Sequence, residues 1–140
     1  MKALNIVLRV VLGLLIISPI LGVTGLFPAP TADMYNTADA FTFIDIMMKG
    51  GYITWIMAIV FAFTLYLIIT NRMALAALLI LPITVNIVGF HAFLDGGLFT
   101  AGAVMGNVLL LINAYFLWQN WSHYKSLWNK SSVAAVQSQA

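Results

Sequence analysis

The stretch Leu75-Ala-Ala-Leu-Leu-Ile-Leu81 places seven apolar residues in succession, and it lies inside a longer apolar segment, residues 73–94. A bilayer's hydrocarbon core is about 30 Å thick, so a helix that crosses it needs about 20 apolar residues. A strand of a membrane barrel would alternate apolar and polar residues, which this stretch does not. Because lipid offers no partners to backbone N–H and C=O groups, residues 73–94 are predicted to form a transmembrane helix.

Three further segments share this character, namely residues 4–26, 52–70 and 98–121. The second and third segments meet at Asn71-Arg72, and the third and fourth meet at Asp95-Gly96-Gly97, so both connections are expected to be tight turns. The sequence therefore predicts an all-α fold, an antiparallel four-helix transmembrane bundle. We expect one membrane domain, residues 1–128, followed by a small polar and flexible cytoplasmic tail, residues 129–140.

A fifth, shorter helix is predicted over residues 38–49, between the first and second spans. Thr37 is suited to cap it, and Asp39 in its first turn is favoured by the helix dipole. Apolar residues recur at helical spacing until Gly50-Gly51 ends the run. This amphipathic segment is expected to lie in the outer membrane interface, either as a ledge or as a cover over the mouth of the bundle.

Composition supports a membrane protein and excludes several functions. Charged residues make up 7% of the chain, against about 25% in soluble domains, and 63% of the residues are hydrophobic. The absence of cysteine excludes disulfides, thiolate chemistry, iron–sulfur clusters and zinc–thiolate sites. The net charge of +2 comes from scattered residues rather than a basic run, so no nucleic-acid partner is expected.

The charged residues also predict an orientation. Positive residues are retained on the cytoplasmic side of bacterial and other cell membranes. With four spans, one side holds Lys2, Arg72, Lys125 and Lys130, while the other holds Asp33, Asp39, Asp45 and Asp95 with Lys49. We therefore expect both termini in the cytoplasm.

Polar residues inside the predicted spans are the candidate site residues, because such groups are costly in lipid. His91 and Asp95 are four residues apart and share a helix face, which would let the carboxylate orient the imidazole; both are candidate catalytic residues. Asn86 and Asn107 are expected at matching depth on adjacent helices, as a hydrogen-bonded pair or as shared ligands. Arg9 would either snorkel to headgroups or bind an anionic or carbonyl-bearing ligand.

Two other patterns concern packing and metals. Gly102 and Gly106 form a GxxxG pattern that permits close approach of another helix, within this chain or in a partner. His91 and Asp95 offer two metal ligands and no third is evident, so no metal site is expected. A haem with two axial histidines is not expected either, since His123 would lie at the opposite membrane face.

The runs Arg9-Val-Val-Leu-Gly13-Leu-Leu and Asn86-Ile-Val-Gly-Phe90-His91-Ala-Phe93-Leu94 resemble the DoxX-like family of small four-helix membrane proteins. The resemblance extends over residues 4–118. It implies a connection with quinone-linked oxidation complexes, or with accessory and assembly subunits of larger membrane proteins. It also implies that the family's polar positions correspond to Arg9, Asn86 and His91.

Two functions are therefore expected from different classes. The first is a non-catalytic accessory or assembly subunit of a membrane complex in the bacterial inner membrane, with other membrane proteins or a second copy of this chain as partners. The alternative is a quinone-linked oxidoreductase subunit in which Arg9, Asn86 and His91 surround the quinone and Asp95 assists proton movement. A small-solute channel is less favoured, because no ring of charge lines any predicted helix.

Overall fold

The computed structural model describes residues 2–128, and this part of the chain is all-helical, as predicted, with no strand. The predicted tail, residues 129–140, lies outside the described residues. A 3₁₀ turn, Ala32–Met34, precedes the second helix. The six α-helices are α1 (Lys2–Val23), α2 (Ala38–Gly50), α3 (Tyr52–Ile69), α4 (Met73–Phe93), α5 (Ala103–Gln119) and α6 (Trp121–Trp128).

Three of these helices are long and apolar enough to cross a membrane, which identifies an integral membrane protein. Helices α1, α3 and α4 have 22, 18 and 21 residues, respectively. Helix α5 is also apolar but has 17 residues. The fourth predicted span is therefore shorter in the structure than the apolar segment in the sequence.

The difference arises at both ends of the segment 98–121. At its start, Gly96 and Gly97 adopt positive φ angles of 81° and 110°, and the chain turns before the helix begins. The hydroxyl of Thr100 accepts a hydrogen bond from the Ala103 N–H at 3.3 Å, which closes the turn that precedes the helix. At its end, the Asn120 side chain donates to the Phe116 carbonyl at 2.8 Å, and α5 stops at Gln119.

The turns around α2 and between α3 and α4 lie where the sequence placed them. Thr37 caps α2 by accepting from the Ala40 N–H at 3.1 Å, and Gly51, with φ of 71°, separates α2 from α3. Asn71, with φ of 61°, forms the turn from α3 to α4. The Arg72 N–H donates to the Leu67 carbonyl at 2.8 Å and closes that turn.

One apolar core joins the long helices. Helix α4 packs against α3 and α5, and α1 packs against α3 and α5, so the four lie side by side. The core side chains are apolar and almost fully buried, with Leu12 and Ile16 from α1, Phe61 and Leu67 from α3, Ala76, Ala77 and Ile80 from α4, and Leu109, Ile112 and Phe116 from α5. The share of this core that α4 provides includes the small residues Ala76 and Ala77, which favour close approach of neighbouring helices.

Candidate functional site

The most deeply buried acidic group is Asp95, in the turn after α4, with 2% of the residue exposed. Its Oδ1 accepts hydrogen bonds from the Asn36 backbone N–H at 2.8 Å and from the Asn36 amide Nδ2 at 3.2 Å. Its Oδ2 lies 2.9 Å from Nδ1 of His91. Both carboxylate oxygens are therefore engaged by donors from this chain.

A second set of hydrogen bonds runs beside the first. The Asn36 amide also donates to the Asp95 carbonyl at 3.2 Å, and the Thr37 hydroxyl donates to the Leu94 carbonyl. The same Thr37 oxygen caps α2. We refer to Asn36, Thr37, His91, Leu94 and Asp95 as the Asp95 clasp, because together they fasten the start of α2 to the end of α4.

Electrostatics follow from this arrangement. Burial acts to raise the pKa of Asp95, but hydrogen bonds from Asn36 and His91 outweigh it and hold that pKa below the ordinary value of 3.8. Asp95 is therefore a carboxylate at neutral pH and can only accept, so Nδ1 of His91 must carry a proton. Burial, together with the charge of Asp95, raises the pKa of the neighbouring Tyr35.

The two glycines of the GxxxG pattern lie against this histidine. A Cβ atom at Gly102 would lie 3.4 Å from both the Asp95 Oδ2 and the His91 Cε1. A Cβ at Gly106 would lie 2.8 Å from the Ile87 Cγ2 and 3.6 Å from the His91 Cδ2. The absence of side chains at Gly102 and Gly106 thus allows α5 to approach α4 at the level of His91.

The other candidate residues lie elsewhere. Arg9 donates to the Asn71 side chain, at the turn between α3 and α4. His91 lies 18 residues along α4 from Met73, or about 27 Å from that turn at the rise of an α-helix. The structure therefore does not bring Arg9 and His91 together.

The predicted pairing of Asn86 with Asn107 is not seen. The Asn107 amide donates to the Leu98 carbonyl at 2.7 Å, which ties α5 to the turn before it. Asn86 is exposed on α4. Arg9, Asn86, His91 and Asn107 thus do not form one ligand site.

The polar contact that does join the middle of α4 to α5 was missed by the sequence analysis. The Asn113 amide donates to the Thr84 hydroxyl at 3.1 Å, and both residues are fully buried. Within residues 2–128, no hydrogen-bond partner reaches the Asn113 Oδ1. The Thr84 hydroxyl itself donates to the Leu81 carbonyl at 2.9 Å. The pair therefore joins α4 to α5 through one hydrogen bond, and the Asn113 Oδ1 is its unused acceptor.

Neither the metal chemistry of the site nor comparison with known proteins identifies a function. Among the described residues, no three or more His, Cys, Asp or Glu side chains are grouped so as to hold a metal ion. Known protein families, curated proteins and solved structures provide no match to this chain.

Proposed function

We propose that this chain crosses the membrane four times as an antiparallel bundle of α1, α3, α4 and α5, and that it is a DoxX-like protein. The length of α5 supports the fourth crossing, since 17 residues is at the lower limit for a spanning helix. Helix α2 would lie in the outer interface, with exposed Phe43 and Ile46 in lipid and the exposed Asp45–Lys49 ion pair near water. Both termini would be cytoplasmic, in a bacterial inner membrane.

The function we propose is that of a non-catalytic accessory or assembly subunit of a larger membrane complex. The observation that carries this proposal is that both oxygens of Asp95 already accept hydrogen bonds within the fold, from Asn36 and His91. These hydrogen bonds fasten the start of α2 to the end of α4, which gives the carboxylate a structural role. The Arg9 guanidinium donates to Asn71 and is not directed toward His91, although its buried Nε has no hydrogen-bond partner among residues 2–128.

One contact expected for the quinone-linked alternative is present, between Nδ1 of His91 and Oδ2 of Asp95, but the other candidate residues are not gathered around it. The alternative requires Arg9, Asn86 and His91 at a single ring. Arg9 is hydrogen-bonded to Asn71 at the turn before α4, whereas His91 is hydrogen-bonded to Asp95 at the opposite end of α4. A quinone headgroup is far smaller than the separation of about 27 Å estimated from the helical rise.

Mass spectrometry of the tagged protein, extracted gently from its native membranes, tests the proposed function. We expect a membrane protein to co-purify in a fixed ratio and to remain after a wash at high salt. The test variant is Asp95→Ala, which removes the centre of the clasp. Its matched control is Asp45→Ala, which alters an exposed ion pair. Loss of the partner with Asp95→Ala and not with Asp45→Ala, in protein that still purifies as a folded species, would show that the clasp supports assembly. A stoichiometric quinone without a protein partner would contradict the accessory role.

A further inference from the structure

A cavity of about 570 Å³ lies at the end of the molecule that holds α2. Its walls are the C-terminal end of α1, the segment that leads from α1 to α2, one side of α2 and the first half of α3. Ligand pockets in proteins commonly have volumes between about 300 and 1,000 Å³, so the cavity is large enough for a bound molecule. It lies apart from the Asp95 clasp, although Tyr35 reaches both neighbourhoods.

The chemistry of the walls restricts the ligand. Among residues 2–128, no charged residue lines the cavity, and Tyr35 and Thr54 are the two lining residues that carry a hydroxyl. The Thr54 hydroxyl already donates to the Gly51 carbonyl at 2.6 Å. An ionised ligand would lose its hydration without gaining a partner, so the ligand must be uncharged and largely apolar where it contacts these walls.

The walls are also suited to a flexible chain. Met47, Met48 and Met57 provide unbranched, polarisable side chains that adapt to irregular shapes. Gly22 leaves one wall open, since a Cβ atom built there would meet no atom within 4 Å. The cavity is partly open to its surroundings, and exposed apolar residues such as Leu21 and Trp55 continue its surface along the spanning helices α1 and α3.

We propose that this cavity is a binding site for one acyl chain of a phospholipid, drawn from the leaflet on the α2 side. Continuity with the lipid-facing surfaces of α1 and α3 gives the chain a path from the bilayer, and the headgroup remains in the interface beside α2. The site would retain a lipid more firmly than the ordinary outer faces of the helices. This inference rests on the proposed membrane insertion and does not depend on the accessory role.

The test uses the full-length protein in phosphatidylcholine vesicles that contain a small fraction of phosphatidylcholine with a diazirine near the end of one acyl chain. After illumination, peptide mass spectrometry maps the labelled residues. We expect labelling at the cavity walls to exceed, several-fold, the labelling around Leu111, an exposed residue of α5. Equal labelling at the two places would overturn the proposal.

Two glycine variants provide a matched comparison. A Cβ atom would meet no atom within 4 Å at Gly22, which lines the cavity, or at Gly89, which lies on α4 outside it, so Gly22→Leu and Gly89→Leu add the same side chain inside and outside the cavity wall. We expect Gly22→Leu to lower cavity labelling several-fold and Gly89→Leu to leave it unchanged. Val23→Phe, on the same wall, should act like Gly22→Leu. Unchanged labelling in both cavity variants would overturn the proposal.

Alkaline extraction of the vesicles distinguishes failure of the acyl-chain site from failure of the proposed membrane insertion. Protein that resists extraction but shows uniform labelling would overturn the acyl-chain site alone. Protein that is released by alkali would overturn both the site and the proposed membrane insertion on which it rests.

Discussion

Asp95 is an acidic residue with almost no exposed surface in a chain that has only four carboxylates. Burying a charge without partners is costly, and here Asn36 and His91 provide three hydrogen bonds that offset this cost. The two hydrogen bonds from Asn36 connect chain segments 59 residues apart. At the scale of one residue, Asp95 thus determines how the segment between α1 and α2 is fastened to the rest of the molecule.

Replacing Asp95 with alanine should destabilise the fold by about 2 kcal/mol, because it leaves the partly buried Asn36 and His91 donors without their acceptor. The measurement is the free energy of unfolding in mixed micelles, followed by tryptophan fluorescence. Asp45→Ala is the control and should cost less than about 0.5 kcal/mol, because the Asp45–Lys49 pair is exposed. Equal losses in the two variants would contradict the structural role of Asp95.

The lowered pKa of Asp95 predicts an acid-dependent loss of stability. A carboxyl whose pKa is lower in the folded state stabilises the fold above its unfolded-state pKa, and this contribution is lost as the pH falls through the folded value. The stability difference between wild type and Asp95→Asn should therefore be largest near neutral pH and should shrink below about pH 3.8. Unfolding midpoints of both proteins across the acidic range measure it. A difference that stays constant throughout would contradict the assignment.

At the scale of the helix, the contact between α4 and α5 shows where reasoning from sequence failed. The pairing of Asn86 with Asn107 assumed that the fourth helix begins at Leu98, whereas α5 begins at Ala103. Counted from the observed ends, Thr84 lies nine residues before Phe93 and Asn113 lies ten residues after Ala103. Thr84 and Asn113 therefore lie at matching depth, and the wrong pair was predicted because the start of α5 was placed five residues too early.

Helix α2 shows what local sequence can and cannot provide. Its start at Thr37 and its end near Gly51 depend on capping and on glycine conformation, which neighbouring residues determine. The contact of Asn36 with Asp95 depends on tertiary packing between distant segments, and no pattern in a single sequence encodes it. Local signals thus predicted the element, while the long-range bonds that position it emerged only from the structure.

Gly106 should be sensitive to a single methyl group, because its Cβ would lie 2.8 Å from the Ile87 Cγ2. Isoleucine is branched at Cβ and has little freedom to move that methyl. We expect Gly106→Ala to destabilise the fold by about 1–2 kcal/mol, as overpacking does. Gly89→Ala is the matched control and should not destabilise it, because that Cβ meets open space.

The double variant Gly106→Ala/Ile87→Ala identifies the cause. Removing the larger side chain should relieve the clash, so the two substitutions together should cost less than the sum of their separate costs. The measurement is again the free energy of unfolding in mixed micelles. Strict additivity would contradict a direct contact between these positions.

For the whole molecule, the outer surface of the long helices is largely apolar, as expected for a protein surrounded by lipid rather than water. Leu14 on α1, Ile59 on α3 and Leu111 on α5 are each more than 60% exposed, and many other large apolar residues are exposed along these helices. Soluble monomers rarely show continuous apolar surface of this kind. Apolar length and charge distribution were readable from the sequence, so the membrane class was predictable, whereas the extent of the fourth span was not.

We propose four membrane crossings with both termini in the cytoplasm. Because the chain has no cysteine, single cysteines can be introduced and labelled to test this topology directly. Single-cysteine variants at Lys2, Arg72, Lys49, Phe99 and Lys125 would be exposed to a membrane-impermeant maleimide in intact cells and again after permeabilisation. We predict that Lys49 and Phe99 react in intact cells, and that Lys2, Arg72 and Lys125 react only after permeabilisation. If Phe99 and Lys125 instead react from the same side, α5 does not cross the bilayer and the four-span account is contradicted.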